Sequence, residues 1–306
     1  MIAHTKPPIV AKLRRVMLTA MAFNVLLTLC GQPESFWGDP TKAMRCDGLS
    51  IYAITNHTFD FFLGYGPLPF VATNLLYIAA AVFAVSRLPR IAALIAIFAV
   101  IFAHGYSATN WLVVRFHFGG GPGVATCGTL LGVLLSFAIL PTWDRSREVV
   151  KVWRWLMVAA LFVDFTNTLL GQPASYWQDP ATMHESNALT RMFLGRGWIY
   201  YLGLDLILAA GQFALITILP LPVAFVCVFA FIFGSFVGAS NWFFYEWRLG
   251  WSAPIAYGTI LSTLIVLLAF RKRNDNGPNQ ALMPTPASVT PAAGAPVAPD
   301  AGAVHL

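Results

Sequence analysis

The sequence predicts an all-α polytopic membrane protein, with eight transmembrane helices arranged as two parallel four-helix repeats. Three observations carry this expectation. Hydrophobic residues make up 58% of the chain and charged residues 10%, with a mean hydropathy of +0.67, whereas an ordinary soluble domain is roughly 25% charged. A ten-residue stretch is written twice: Gly31-Gln32-Pro33-Glu34-Ser35-Phe36-Trp37-Gly38-Asp39-Pro40 returns as Gly171-Gln172-Pro173-Ala174-Ser175-Tyr176-Trp177-Gln178-Asp179-Pro180, identical at seven positions, and a fixed-offset repeat governs the reading of the whole fold. Finally, 13 of the 19 basic residues fall in alternate gaps between apolar segments: Lys6, Lys12, Arg14 and Arg15; Arg87 and Arg90; Arg145, Arg147, Lys151 and Arg154; and Arg271, Lys272 and Arg273. That is the positive-inside pattern, so the net charge of +6 reports topology and anionic lipid, not a nucleic-acid partner.

The elements follow in order. Residues 1–15 read as a basic cytoplasmic arm, 16–141 as the first four-helix repeat, 142–273 as the second, and 274–306 as a disordered cytoplasmic tail rich in Pro, Ala and Gly. Val16–Cys30 is the first span. A basic stretch before an apolar run also resembles a signal peptide. Leu29 is too large for a cleavage site, however, and the matching segment at 152–170 lies mid-chain, so the helix is expected to be retained. Further spans are predicted at 66–86, 90–112, 123–141, 152–170, 197–217, 221–243 and 252–270, each near the ~20 residues that cross the hydrocarbon. Four spans per copy make the repeats parallel, with both termini cytoplasmic and both Gly-Gln-Pro loops outside. Gly66 and Gly197 open the second helix of each copy, Asn110-Trp111 and Asn241-Trp242 end the third, and Gly128 and Gly258 lie in the fourth. The expected location is the cell membrane, which in a Gram-negative bacterium is the inner one.

Within the repeated loop, Gly31 and Gly171 read as left-handed helix caps and Pro33 and Pro173 as helix stops. Trp37 and Trp177 suit the headgroup layer. Asp39-Pro40 and Asp179-Pro180 read as capped starts of short interfacial helices, in preference to metal or ligand sites. His184 and Glu185, taken as neighbours on such a helix, point about 100° apart and make no ready ligand pair, although with Asp179 they have the donor types of a metal site. The segment Asn56–Asp60 lies in an insertion peculiar to the first copy, a lid or an ordinary longer loop. Cys30 and Cys46 bracket the first loop, and a disulfide there would close about 16 residues for roughly 3 kcal/mol.

Ionisable groups inside a span cost at least ~2.5 kcal/mol and are functional candidates. Asp164 and Asp205 qualify, and alignment of the copies sets them against Asn24 and Asn74. Asp164, Asn167, Thr168 and Gly171 share one helix face, as do Tyr201, Asp205 and Gln212. With Asn110 and Asn241 at the outer helix ends, each half is expected to gather polar groups in the outer third of the membrane, with Glu185, Glu246 and Arg248 near the mouth of the acidic one. His104 reads as a satisfied buried histidine, and Gly234-x-x-x-Gly238 as a close helix contact.

The expected function is to bind or pass a small polar or cationic ligand through a pocket centred on Asp164 and Asp205, lined by Asn167, Asn241, Glu185, Asn24, Asn74 and Asn110, with no cofactor and no metal. Two other classes stand beside it. One is a membrane enzyme acting on lipid-linked substrates with a carboxylate base or metal ligand. The other is a structural subunit that docks on a membrane-protein partner. No phosphate-cradling loop, His-Glu-x-x-His or Cys-x-x-Cys is present.

Overall fold

The computed structural model describes residues 9–43, 61–142, 146–185, 187–249 and 252–270. Their secondary structure is entirely helical. Eight long helices dominate: α1 (Ile9–Cys30), α2 (Pro67–Arg87), α3 (Arg90–Val114), α4 (Gly120–Ile139), α5 (Ser146–Leu170), α6 (Trp198–Ile218), α7 (Leu221–Tyr245) and α8 (Ser252–Phe270). Six of them, α1 to α4, α6 and α7, are long and apolar enough to cross a membrane. α5 falls outside that set because Arg147, Glu148, Lys151, Arg154 and Asp164 interrupt it; α8 is an apolar helix of 19 residues whose side chains are described over Ile255–Ala269.

Helix boundaries depart from the apolar runs at basic ends. α1 begins at Ile9 and α5 at Ser146, so each extends through Arg and Lys that the hydropathy pattern leaves outside. These side chains form helix readily and carry their charges past the apolar stem. Arg14 Nη1 donates to Ser86 Oγ at 2.9 Å, and Arg154 donates to Thr217 Oγ1 while its guanidinium lies 4.5 Å from the Phe213 ring centroid. α4 likewise begins earlier than expected: Gly119, at φ 76, ends the turn, and Gly120, Gly121 and Gly123 are already helical.

Packing centres on α3 and α7. α7 lies along α5 and α4, and α3 lies along α1 and α8. Phe102 on α3 meets Phe229, Phe233 and Phe236 on α7 with ring centroids 4.9–6.0 Å apart. Close approach is set by small residues. A methyl group on Gly105 would lie 2.6 Å from Leu131 Cδ1, and methyls on Gly128 and Gly132 would meet the Ala230 and Val226 backbones at 3.0–3.3 Å. The small-residue contact anticipated at Gly234 and Gly238 is made at Gly238, where a methyl would lie 2.5 Å from the Asp164 carboxylate of α5, and Gly128-x-x-x-Gly132 of α4 makes a further one. Gly234 has only Val124 near it, at 3.7 Å. α2 and α6 are peripheral, with 17% and 11% of their apolar windows buried, and turn Leu68, Leu76, Phe83, Leu206 and Ile207 outward.

The two loop motifs adopt matching local geometry, and one expectation about them is overturned. Gly31 and Gly171 do not have positive φ, so they are not left-handed caps. They are small because an indole lies on them. A methyl on Gly31 would sit 2.5 Å from Trp111 Cε3, and one on Gly171 would overlap Trp242. Gln32 and Gln172 are buried and donate to Thr28 O at 3.0 Å and Thr168 O at 2.9 Å, which caps the helix ends. Phe36 and Tyr176 plug the bundle at 0% and 2% exposure, while Trp37 and Trp177 stay 58% and 52% exposed, as headgroup-level rings should. The Phe-to-Tyr exchange has a local cause: the Tyr176 hydroxyl donates to Leu194 O at 3.1 Å. Asp39 and Asp179 accept from Thr41 N and Ala181 N at 3.1 and 2.9 Å, as capping requires, but they open three-residue 3-10 turns and not longer helices. Gly66 and Gly197, at φ 114 and 115, precede α2 and α6. Cys46 and the Asn56–Asp60 insertion lie outside the described residues, and with them the proposed disulfide and lid.

Candidate ligand site

In the N-terminal half the polar centre is a neutral set. Asn24 on α1 accepts from Ser107 Oγ at 2.5 Å, and its amide Nδ2 lies 3.3 Å from His104 Nδ1. An amide nitrogen can only donate, so Nδ1 accepts and the His104 proton sits on Nε2. The histidine is thereby satisfied, as anticipated. Asn74 is buried and gives its amide to Phe70 O at 2.9 Å, within its own helix, so it does not join the Asn24 group. Asn110 is buried near the C-terminal end of α3.

The C-terminal half is acidic. Asp164 on α5 lies within electrostatic range of Asp205 on α6 and of Glu185 in the loop between them, and Tyr201 senses all three. The Tyr201 hydroxyl, on the Asp205 face, lies close to Thr168, on the Asp164 face. The two faces drawn from helical spacing therefore meet. Tyr257 on α8 also lies within electrostatic range of Asp164.

The decisive difference between the halves is on the facing helix. Counting back from the repeated Asn-Trp pairs, Ser107 on α3 corresponds to Gly238 on α7. Ser107 donates a hydroxyl to Asn24. Gly238 has no side chain to donate, and the Asp164 carboxylate occupies the space: a methyl there would be 2.5 Å from both of its oxygens. Around this carboxylate, Asn167 Nδ2, Asp205 Oδ2 and the Tyr257 hydroxyl are buried without a hydrogen-bond partner among the described residues. Such atoms are uncommon and call for a specific occupant or role.

Other expected site residues go elsewhere. Asn241 accepts from the Tyr106 hydroxyl at 2.5 Å, a bond between α3 and α7 that ties the halves together. His184 and Glu185 lie in extended chain, not on a helix. The His184 amide is held by Gln172 Oε1 at 2.8 Å, its ring lies 3.7 Å from Glu246, and Glu185 accepts from Asn187 N at 2.7 Å. Glu246 thus faces His184, and Arg248 occupies an exposed turn at φ 51. Among the described residues no three His, Cys, Asp or Glu side chains are placed to hold a metal ion. Sequence reasoning missed Ser107, the place of Gly238 opposite Asp164, Tyr106 and Tyr257. The first two were within reach, since they stand three residues before the repeated Asn.

Compared with known proteins, the chain matches no family model, no curated protein and no solved structure.

Proposed function

We propose that the chain is a membrane protein of two tandem four-helix units, eight crossing helices in all, that binds or passes a small polar or cationic ligand at a pocket centred on Asp164 and Asp205. The duplication is supported by matched details far beyond the decapeptide. His117 and Arg248 share positive φ at 55° and 51°, Arg14–Ser86 parallels Arg154–Thr217, and Trp111 on Gly31 parallels Trp242 on Gly171. α5, though more charged, and α8 bury Trp153, Met157, Leu261 and Ile265 within the bundle, so neighbours can shield their polar groups from lipid.

The observation that carries the ligand reading is the exchange of a matched Asn24–Ser107 pair for Asp164 against Gly238. Here an ionisable group replaces the amide and the facing donor is deleted, which leaves a carboxyl group open to a ligand.

The test is to replace Asp164 and Asp205 by Asn, the residue the first half carries. Both variants should insert and keep native ellipticity, but lose the thermal stabilisation that the wild-type protein gains across a panel of sodium, calcium and alkylammonium salts at constant ionic strength. Equal stabilisation of wild type and variants would reduce the acidic group to packing. Topology is tested separately with Ser35→Cys and Ser175→Cys. A membrane-impermeant maleimide should reach both from the outer side, and labelling from opposite sides would break the parallel arrangement.

A further inference from the structure

We infer that the Asp164 site takes a primary ammonium group carrying a hydrogen-bond-accepting oxygen a few bonds away, the chemistry of 2-aminoethanol, either free or as a phospholipid headgroup. This rests on the functional reading above and specifies its ligand class. The unmatched atoms are of both kinds. When Asp205 is ionised its Oδ2 can only accept from a ligand, Asn167 Nδ2 can only donate, and the Tyr257 hydroxyl can do either. Asn167 is 5% exposed and stands one turn beyond Asp164 on the same face; Tyr257 is 8% exposed and within electrostatic range of Asp164. A bare metal cation would satisfy the carboxylates and leave the amide donor of Asn167 unmet. A quaternary ammonium would bring charge without N–H groups for Asp164 and Asp205. A primary ammonium with a neighbouring oxygen meets both demands, with its N–H groups on the carboxylates and its oxygen on Asn167 and Tyr257. Depth fits either source: Asp164 lies two turns before the end of α5, roughly 10 Å below it at 1.5 Å per residue, within reach of a headgroup or of an entering solute.

The experiment uses the full chain, delipidated and placed in phosphatidylcholine nanodiscs, titrated calorimetrically with ethanolamine, propylamine, choline and sodium chloride. Ethanolamine should bind saturably, with propylamine and choline weaker by about tenfold or more, the worth of one to two lost hydrogen bonds. Asp164→Asn should abolish binding, and Tyr257→Phe should narrow the preference for ethanolamine over propylamine. The double variant Asp164→Asn, Gly238→Ser recreates the Asn24–Ser107 pairing and should be folded yet silent, which separates lost binding from lost structure. Phosphatidylethanolamine in the disc that competes with ethanolamine identifies the lipid headgroup as the source, and absence of competition identifies the free amine. No saturable ethanolamine binding, or choline binding as tightly, overturns the inference. If sodium alone then stabilises the protein through Asp164, the broader cation reading survives. If no cation depends on Asp164, both fall.

Discussion

Replacing Gly31 by Ala separates two physical accounts of the repeated glycine. The added carbon would lie 2.5 Å from Trp111 Cε3, 2.6 Å from Cζ3 and 2.9 Å from Leu27 O. Carbon atoms prefer about 3.5–4.0 Å, so the indole must retreat by roughly 1 Å. Trp111 is only 4% exposed and has little room to do so. Overpacking of this kind costs about 1–3 kcal/mol, and the narrower unfolded ensemble of Ala returns at most about 1 kcal/mol. The net expectation is a loss of about 1–2 kcal/mol. In a Trp111→Leu background the clash with the indole is relieved and only the 2.9 Å contact with Leu27 O remains, so the same Gly31→Ala change should cost clearly less. Unfolding in detergent by SDS titration, followed by far-UV ellipticity, measures all four corners of the cycle. A left-handed cap would instead cost about 1–2 kcal/mol whatever stands at position 111. Additivity within about 0.5 kcal/mol would therefore refute the packing account. The same cycle at Gly171 and Trp242 should give the same sign.

Three further outcomes follow from local geometry. Tyr176→Phe removes the hydroxyl on Leu194 O, and should cost about 1 kcal/mol in the same unfolding assay; no loss would mean the bond is fully replaced by water. Tyr106→Phe leaves Asn241 Oδ1 without its donor, and should destabilise the protein by about 1–2 kcal/mol. That loss should shrink when Asn241→Leu is added, and an unchanged loss would dismiss the bond between the halves. The Thr41 hydroxyl and amide beside Asp39 hold its carboxyl below the ordinary value of 3.8. The cap is therefore present above that value and lost as pH falls through the lower folded one. Amide-exchange protection at Thr41, corrected for intrinsic rate, should collapse in that acid range in the wild-type protein and persist in Asp39→Asn, where the neutral amide still caps. A collapse shared by both would assign it to general unfolding.

The chain's class and periodicity were written in local chemistry. Apolar runs of membrane length, Gly before a helix start, Asp before Pro and the doubled motif each act within a few residues, so helix positions and caps could be read one segment at a time. Helical spacing also put Asp164 with Asn167 and Thr168 on one face and Asp205 with Tyr201 on another. What spacing cannot supply is which helix stands opposite. Gly31 and Trp111 looked like two unrelated signals, one backbone and one interfacial, until packing made them a single contact. Of the Gly234 and Gly238 pair only Gly238 makes a close approach, to Asp164, and Gly128 and Gly132 make another, because a small residue permits contact without choosing a partner. Asn241 turned from a pocket residue into a bond with Tyr106 for the same reason. The missing donor beside Asp164 became visible only when α7 was laid against α5. Periodicity fixes a face, and only the packed bundle decides what that face meets.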